Sequence, residues 1–339
     1  MKARVDRGLV FFAIVALASG WRFFRLRYWR EFSDEGDTIV IGWLVSEGES
    51  IYRTVFSHHM PFAYVLAHLV AVLSPTDHVA HFRLVTWLAY LAVGAALTVP
   101  AGSSPARPVA GAIFLSASAL VLPLFNGQML LAEPIWGALF ALFVVKLLLP
   151  ALFGEPVSAK SAALGGAALA LSLATSLAAV YPFAVGLAVV AVVVSSSPEA
   201  RREAAARAGP FLVAFLGAGL VVLLWVKRFG SVLGLFEEAV LFNFQVYARY
   251  NGEGTSAISL AAQAVKGFVA TLFASLCRPE RLADPRSAFV ALAVVASVGA
   301  AAAVRRAKRP RLLQVAAFPL SLLFVVALRV RDAEFRAIP

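Results

Sequence analysis

The chain has 339 residues, of which 61% are hydrophobic and 14% charged, with a formal net charge of +11 and a mean hydropathy of +0.83. Soluble globular domains run about 45–50% apolar and about 25% charged, so the composition argues against a soluble domain and predicts an integral membrane protein. The Lys and Arg residues lie between apolar segments rather than in one stripe; this points to topology and lipid headgroups and away from nucleic acid.

The apolar runs are rich in Leu, Ala, Val and Phe and lack β alternation, so the expected fold is all-α, a polytopic bundle of about 9–11 membrane helices. No polar stretch is long enough to bury a core of its own, so residues 1–339 are read as one transmembrane domain. The single Cys277 allows no internal disulfide and no CxxC motif. Met1 to Arg4 and the apolar run behind them resemble a signal peptide. Gly20-Trp21-Arg22-Phe23 is too bulky for a cleavage site, so the first helix is expected to be retained.

In chain order, nine segments come close enough to the roughly 20 apolar residues of a crossing. They are 8–24, 79–99, 109–125, 134–152, 161–179, 182–194, 209–226, 287–304 and 312–328. Two more are ambiguous: 60–73, which holds His68, and 258–276, which holds Gln263 and Lys266. Such runs can span, re-enter or lie in the interface. Ser195-Ser-Ser-Pro-Glu199 reads as a helix end with an N-cap and a Pro start, followed by a short charged turn.

The basic connectors decide between topologies. With 60–73 in the interface and 258–276 not crossing, the N-terminal Lys2, Arg4 and Arg7 fall inside together with Arg107, Lys160, Arg201, Arg202 and the cluster at Arg305. The first loop (25–60), the segment Asn126 to Glu133, the second large loop (227–287) and the C-terminal Arg331 to Arg336 then share the outer face. Arg25, Arg27, Arg30, Arg53, Lys227, Arg228, Arg249, Arg278, Arg281 and Arg286 are exceptions to the rule in this arrangement. Long loops weigh little in it, and some of these cations would suit phosphate.

Asp34, Glu35 and Asp37 follow the first apolar helix and are flanked by Trp29, Phe32 and Trp43. They read as a solvated acidic loop or as a site. A carboxylate drawn into the apolar region costs about 2.5–3.5 kcal/mol, which favours the second reading. Paired carboxylates perform general-base chemistry or hold a divalent cation through oxygen ligands. After them, 38–47 reads as a short helix that Gly48 stops, leading through Ile51-Tyr52-Arg53 to Phe56-Ser57-His58-His59-Met60-Pro61.

This order of an acidic pair, a short apolar helix, Gly, Tyr-Arg, Phe, His and Pro resembles the first outer loop of the GT-C glycosyltransferases. It is closest to their RgtA/B/C/D-like bacterial branch, related to protein O-mannosyltransferases and aminoarabinose transferases. The resemblance implies a sugar donor carried on polyprenyl phosphate and an extracytoplasmic site in which the first acid is the catalytic base. On that basis Asp34 and Glu35 are the expected catalytic residues, and Tyr52, Arg53, His59 and Pro61 match the run after them. Tyr52, Arg53 and His59 are expected to bind substrate. Asp37 and His58, from their place beside the acids and His59, join them as substrate-binding candidates, Asp37 reading also as a solvated acid. Asn126-Gly-Gln-Met-Leu-Leu-Ala-Glu133 resembles the family's second outer acidic position; Glu133 reads equally as a helix-start acid that favours the N-terminal dipole. The basic stretch 329–339 resembles a segment that in the family precedes further helices, so the chain is expected to be short relative to its relatives.

Glu237-Glu238 and the run Asn243 to Tyr250 mix polar and aromatic residues in the way sugar sites do, which adds Tyr247 and Arg249 as substrate-binding candidates. An interfacial aromatic belt explains the same run. All five histidines lie between His58 and His81, and His78-x-x-His81 has helical spacing for a metal, but no third ligand follows at that spacing. Metal ligands therefore stay unknown, and a divalent cation is the only cofactor weighed. The chain holds no GxxxxGK[ST], GxGxxG, HExxH or GxSxG motif, so ATP-driven transport, dinucleotide chemistry and zincin proteolysis lose support.

The sequence therefore predicts an inverting membrane glycosyltransferase of the bacterial inner (plasma) membrane. It would move a sugar from polyprenyl phosphate to a glycan, lipid or protein acceptor on the outer face, among membrane lipids and without nucleic acid. A transporter or lipid flippase is the alternative, as is a non-catalytic partner of an envelope enzyme. A transporter would carry ionisable residues at its span centres, where Lys146 is the exception in an otherwise uncharged set.

Overall fold

The computed structural model describes residues 7–28, 33–74, 78–98, 107–121, 127–153, 156–195 and 197–247. The described residues form a helical bundle without strands. Its elements are α1 (Arg7–Leu26), α2 (Ser33–Ser46), α3 (Phe62–Leu73), α4 (Val79–Thr98), α5 (Arg107–Val121), α6 (Ala132–Phe143), α7 (Leu149–Phe153), α8 (Ala159–Leu173), α9 (Val180–Ser195) and α10 (Pro198–Phe229). A π-helical turn, Val144–Leu148, makes α6 and α7 one bent rod. The candidate crossings 258–276, 287–304 and 312–328 lie outside the described residues.

Among the described residues, four helices are long and apolar enough to cross a membrane: Gly8–Leu26, Val79–Thr98, Ala132–Ala151 and Pro198–Phe229. Of the nine segments counted in the sequence, seven begin within these residues: 8–24, 79–99, 109–125, 134–152, 161–179, 182–194 and 209–226. Over the expected crossing 161–179 the helix α8 is shorter, at 15 residues, whereas α9, at 16 residues, runs past both ends of the expected 182–194.

Local chemistry sets the boundaries. The Ser158 side chain accepts the N–H of Ser161 and opens α8, and the Ser197 side chain accepts the N–H of Ala200, with Pro198 in the first helical position, to open α10. Gly48, at φ +102°, ends the turn behind α2 in the left-handed region. Two expectations change here. Arg201, Arg202 and Arg207 do not form a connecting turn; they ride on the first turns of the 32-residue α10. The acids at 34, 35 and 37 are not a loop either, because α2 already begins at Ser33. Carboxylates in a first helical turn are favoured by its unpaired N–H groups, so the acids themselves help the helix to start there.

The long elements run back and forth between two ends. At one end Arg22 Nε donates to Ala119 O (2.5 Å), Thr86 Oγ1 to Met129 O (3.1 Å) and Phe62 N to Ala174 O (2.8 Å). At the other end Lys146 Nζ lies 3.4 Å from Leu97 O, and Val157 N donates to Glu203 Oε1 at 2.7 Å. α3 enters and leaves at the first end, and its 12 residues span only about 18 Å against a hydrocarbon core of about 30 Å. The main core, with Trp136, Phe143 and Phe183, joins α6, α8 and α9; the Phe143 and Phe183 rings meet edge-on at 4.9 Å.

Small residues bring the helices close, as bundles in lipid require. Gly166 of α8 lies directly against the backbone carbonyl of Phe211 in α10, leaving no room for a Cβ. Gly166→Leu is therefore expected to destabilise the protein by about 1–3 kcal/mol through overpacking. A lower melting temperature of the purified protein checks this, with Gly217→Leu, in open space on α10, unchanged.

Candidate functional site

Successive residues on a helix are about 100° apart, so a bundle packed against the first turn of α2 can take only one of two adjacent acids. It takes Glu35, which is 3% exposed, and leaves Asp34 exposed. The Arg83 guanidinium of α4, 1% exposed, grips the Glu35 carboxylate: Nε to Oε1 at 2.9 Å and Nη2 to Oε2 at 2.5 Å. Leu130 N adds a bond to Glu35 Oε1 at 3.0 Å, and Arg83 Nη1 reaches Arg27 O at 3.0 Å. One ion pair thus ties together the end of α1, the starts of α2 and α4, and the segment that leads into α6. Glu35, expected as the catalytic partner of Asp34, is buried, with both carboxylate oxygens hydrogen-bonded inside the protein.

The loop between α2 and α3 is held by the end of α10. Ile51 N donates to Phe229 O (3.1 Å) and Ser231 N to Ile51 O (3.1 Å). Tyr52 takes φ +58°, a costly conformation for an aromatic residue, and is 2% exposed with its O–H on His59 O at 2.7 Å. Gly234 packs against the Tyr52 carbonyl where a Cβ would collide. Burial, then the nearby Tyr64, Glu238 and Asp37, push the Tyr52 hydroxyl well above its usual range. The hydroxyl of Tyr52, expected as a substrate contact, is thus turned into the protein, where it shapes this loop.

That loop and the segment after α10 build a polar network. Glu238 Oε2 accepts the N–H of Ser57 at 2.9 Å, and Asn243 Nδ2 donates to His58 O at 2.5 Å. A chain of donors runs from His59 N to Ser57 Oγ (3.1 Å), from Ser57 Oγ to the Tyr64 hydroxyl (2.6 Å), and from that hydroxyl to Asp37 Oδ2 (3.1 Å). Among the described residues the Asp34 side chain, one turn from Asp37 on the same face, accepts a hydrogen bond only from the hydroxyl of its neighbour Ser33, at 3.2 Å. The His58 and His59 rings lie 4.1 Å apart, and the half-exposed Phe56 meets Phe242 edge-on at 5.2 Å.

Burial and the neighbouring His58 lower the His59 pKa, while Asp37 and Asp34 pull it back up. The imidazole is neutral near pH 7. A His whose folded pKa lies below 6.5 contributes stability that is complete above pH 6.5 and is lost as pH falls through the lowered value. The melting temperature is therefore expected to sag as pH drops below 6.5. His59→Gln should remove that part of the slope, and a variant with an unchanged slope would contradict the assignment.

Of the remaining candidates, Arg53 is exposed in the turn after Tyr52, Glu133 is half-buried in the first turn of α6, and Tyr247 ends the π-helical turn Asn243–Tyr247. Arg249 lies outside the described residues. The site thus gathers Asp34, Asp37, His58 and His59, with the segment carrying Glu133 fastened to Glu35 one layer below. Reading the sequence missed two contributors. Arg83 has the look of a headgroup-level cation, and its 48-residue separation from Glu35 leaves no local signal. Glu238 is visible as one of an acidic pair in a loop expected on the same face, but nothing points from it to Ser57.

The described residues form no group of three or more His, Cys, Asp or Glu side chains able to hold a metal ion. The exposed His78 and His81 have rings 6.0 Å apart. No protein-family profile, curated protein or solved structure matches the chain.

Proposed function

We propose that the chain is a membrane glycosyltransferase that moves a sugar from a polyprenyl-phosphate donor to a glycan, lipid or protein acceptor. The observation that carries the reading is the exposed Asp34 beside Asp37 and His59, at the end of an apolar bundle where the first loop and the segment after α10 are fastened together. In this reading the seven passes α1, α4, α5, α6–α7, α8, α9 and α10 cross the bacterial plasma membrane, and α3 lies in the interface. The acidic end faces outward.

Asp34 accepts the proton of the acceptor hydroxyl as that oxygen attacks the anomeric carbon. The bond from that carbon to the phosphate oxygen breaks, with inversion, and polyprenyl phosphate leaves as a stabilised anion. Asp37, fixed by the Tyr64 hydroxyl, orients the acceptor, and the neutral His59 offers a hydrogen bond to sugar hydroxyls. The aromatic faces of Phe56 and Phe242 suit a sugar ring. An apolar groove of about 970 Å³ between α1 and α4, lined by Phe12, Leu17, Trp21, Leu84 and Trp87, supports a long-chain donor. Arg27 stands at its acidic-end mouth, 3.5 Å over the Phe24 ring, as a cation for the phosphate.

Membranes with and without the chain, incubated with radiolabelled polyprenyl-phosphate sugars, test the proposal. Chain-dependent transfer of label to an envelope acceptor is expected. Its absence across the common donor sugars would overturn the reading in favour of a transporter or a non-catalytic partner.

A further inference from the structure

The end of the bundle opposite the acids holds a second cavity, of about 310 Å³, between the end of α9 and the first turns of α10. One wall is apolar, with Val190 and Val193 of α9. The other is a single face of α10 carrying Glu199, Glu203, Arg207 and Phe211 at intervals of four residues. Each step of four residues moves about 6 Å along the helix axis, so the wall reads, from the end of the bundle inward, acid, acid, guanidinium, aromatic ring.

The polar groups on this wall are not used up by the protein. Arg207 Nε is buried and finds no hydrogen-bond partner among the described residues. The spacing from Glu203 suits an intrahelical ion pair, yet Glu203 Oε1 is turned to the N–H of Val157 at 2.7 Å. Glu199 is exposed at the rim. A buried guanidinium nitrogen without an acceptor is costly, and a phosphodiester meets it with charge-assisted, bidentate geometry.

We propose that this cavity binds one zwitterionic aminophospholipid of the inner leaflet. Its ammonium lies at Glu199 and the free oxygen of Glu203, its phosphate at Arg207, and its chains run along Phe211, Val190 and Val193. The order of groups down the wall matches the order in the lipid: ammonium outermost, phosphate below it, then hydrocarbon. An anionic phospholipid has the phosphate but nothing for the two carboxylates, which repel it. The inference rests on the chain lying in a membrane with this end inward; it does not depend on sugar transfer.

The test uses the full chain in mixed micelles with equal phosphatidylethanolamine and phosphatidylglycerol, followed by native mass spectrometry. One retained lipid per chain is expected, favouring phosphatidylethanolamine by about tenfold, the discrimination of one charge-assisted hydrogen bond. Glu199→Gln, at an exposed position, should bring the two lipids towards parity, and Arg207→Gln should lose both. Equal retention by the wild-type chain, several loosely held lipids without headgroup preference, or an Arg207→Gln variant that keeps the wild-type preference would each overturn the proposal. Retention is read without any sugar substrate, so its failure is separable from failure of the glycosyltransferase reading.

Discussion

Asp34→Asn protein is expected to insert and fold like the wild type and to lose sugar transfer by about 10²–10⁴-fold, the contribution of a positioned general base. The folding half of this rests on geometry. The Asp34 side chain is exposed and, among the described residues, bonds only to the Ser33 hydroxyl, so the amide replaces it without leaving a buried group there unpaired. An asparagine also suits a helix start. The catalytic half rests on proton transfer, since an amide cannot take the acceptor's proton. Transfer is measured with labelled polyprenyl-phosphate sugar, and folding by the melting temperature. A folded Asp34→Asn variant with the wild-type rate would remove Asp34 from the mechanism.

The adjacent acid should behave in the opposite way. Arg83→Leu, or Glu35→Leu, is expected to cost about 3–5 kcal/mol, because each leaves the other charge buried and alone. The double variant should recover a large part of that loss, since no unpaired charge remains and the pocket is filled by apolar atoms. Melting temperatures of the two single variants and the double variant measure this. Additive losses would mean that the two residues do not act as a pair. The pair also fastens the end of α1 and the segment before α6, so the single variants should open protease sites in both places.

Asp34 and Glu35 therefore divide into a free acid and a buried anchor, a division the order of residues does not announce. An acidic pair next to aromatic residues is legible as a candidate site, and the basic connectors already predict that it lies at the same end as the segment before α6. Which acid the bundle takes depends on the rotation of α2 and on a guanidinium 48 residues away. Tyr52 is similar. As a Tyr-Arg pair after a helix it resembles a substrate contact, and only the packing of Gly234 beneath it explains a buried tyrosine at φ +58°.

Along the chain, what the sequence determined by itself is whatever depends on near neighbours. The apolar runs decide that the fold is helical, Gly48 ends the turn after α2, and Ser197 with Pro198 starts α10, because capping and propensity act within a few residues. The start of α2 at Ser33 was within that reach too, through the dipole of its own acids. The partners across long loops come from packing alone: Glu35 with Arg83, Ser57 with Glu238, Ile51 with the end of α10. These contacts depend on which helix faces are turned towards one another. That is set by the summed packing of the bundle, including close approaches such as Gly166 against Phe211, and not by any residue's own preference.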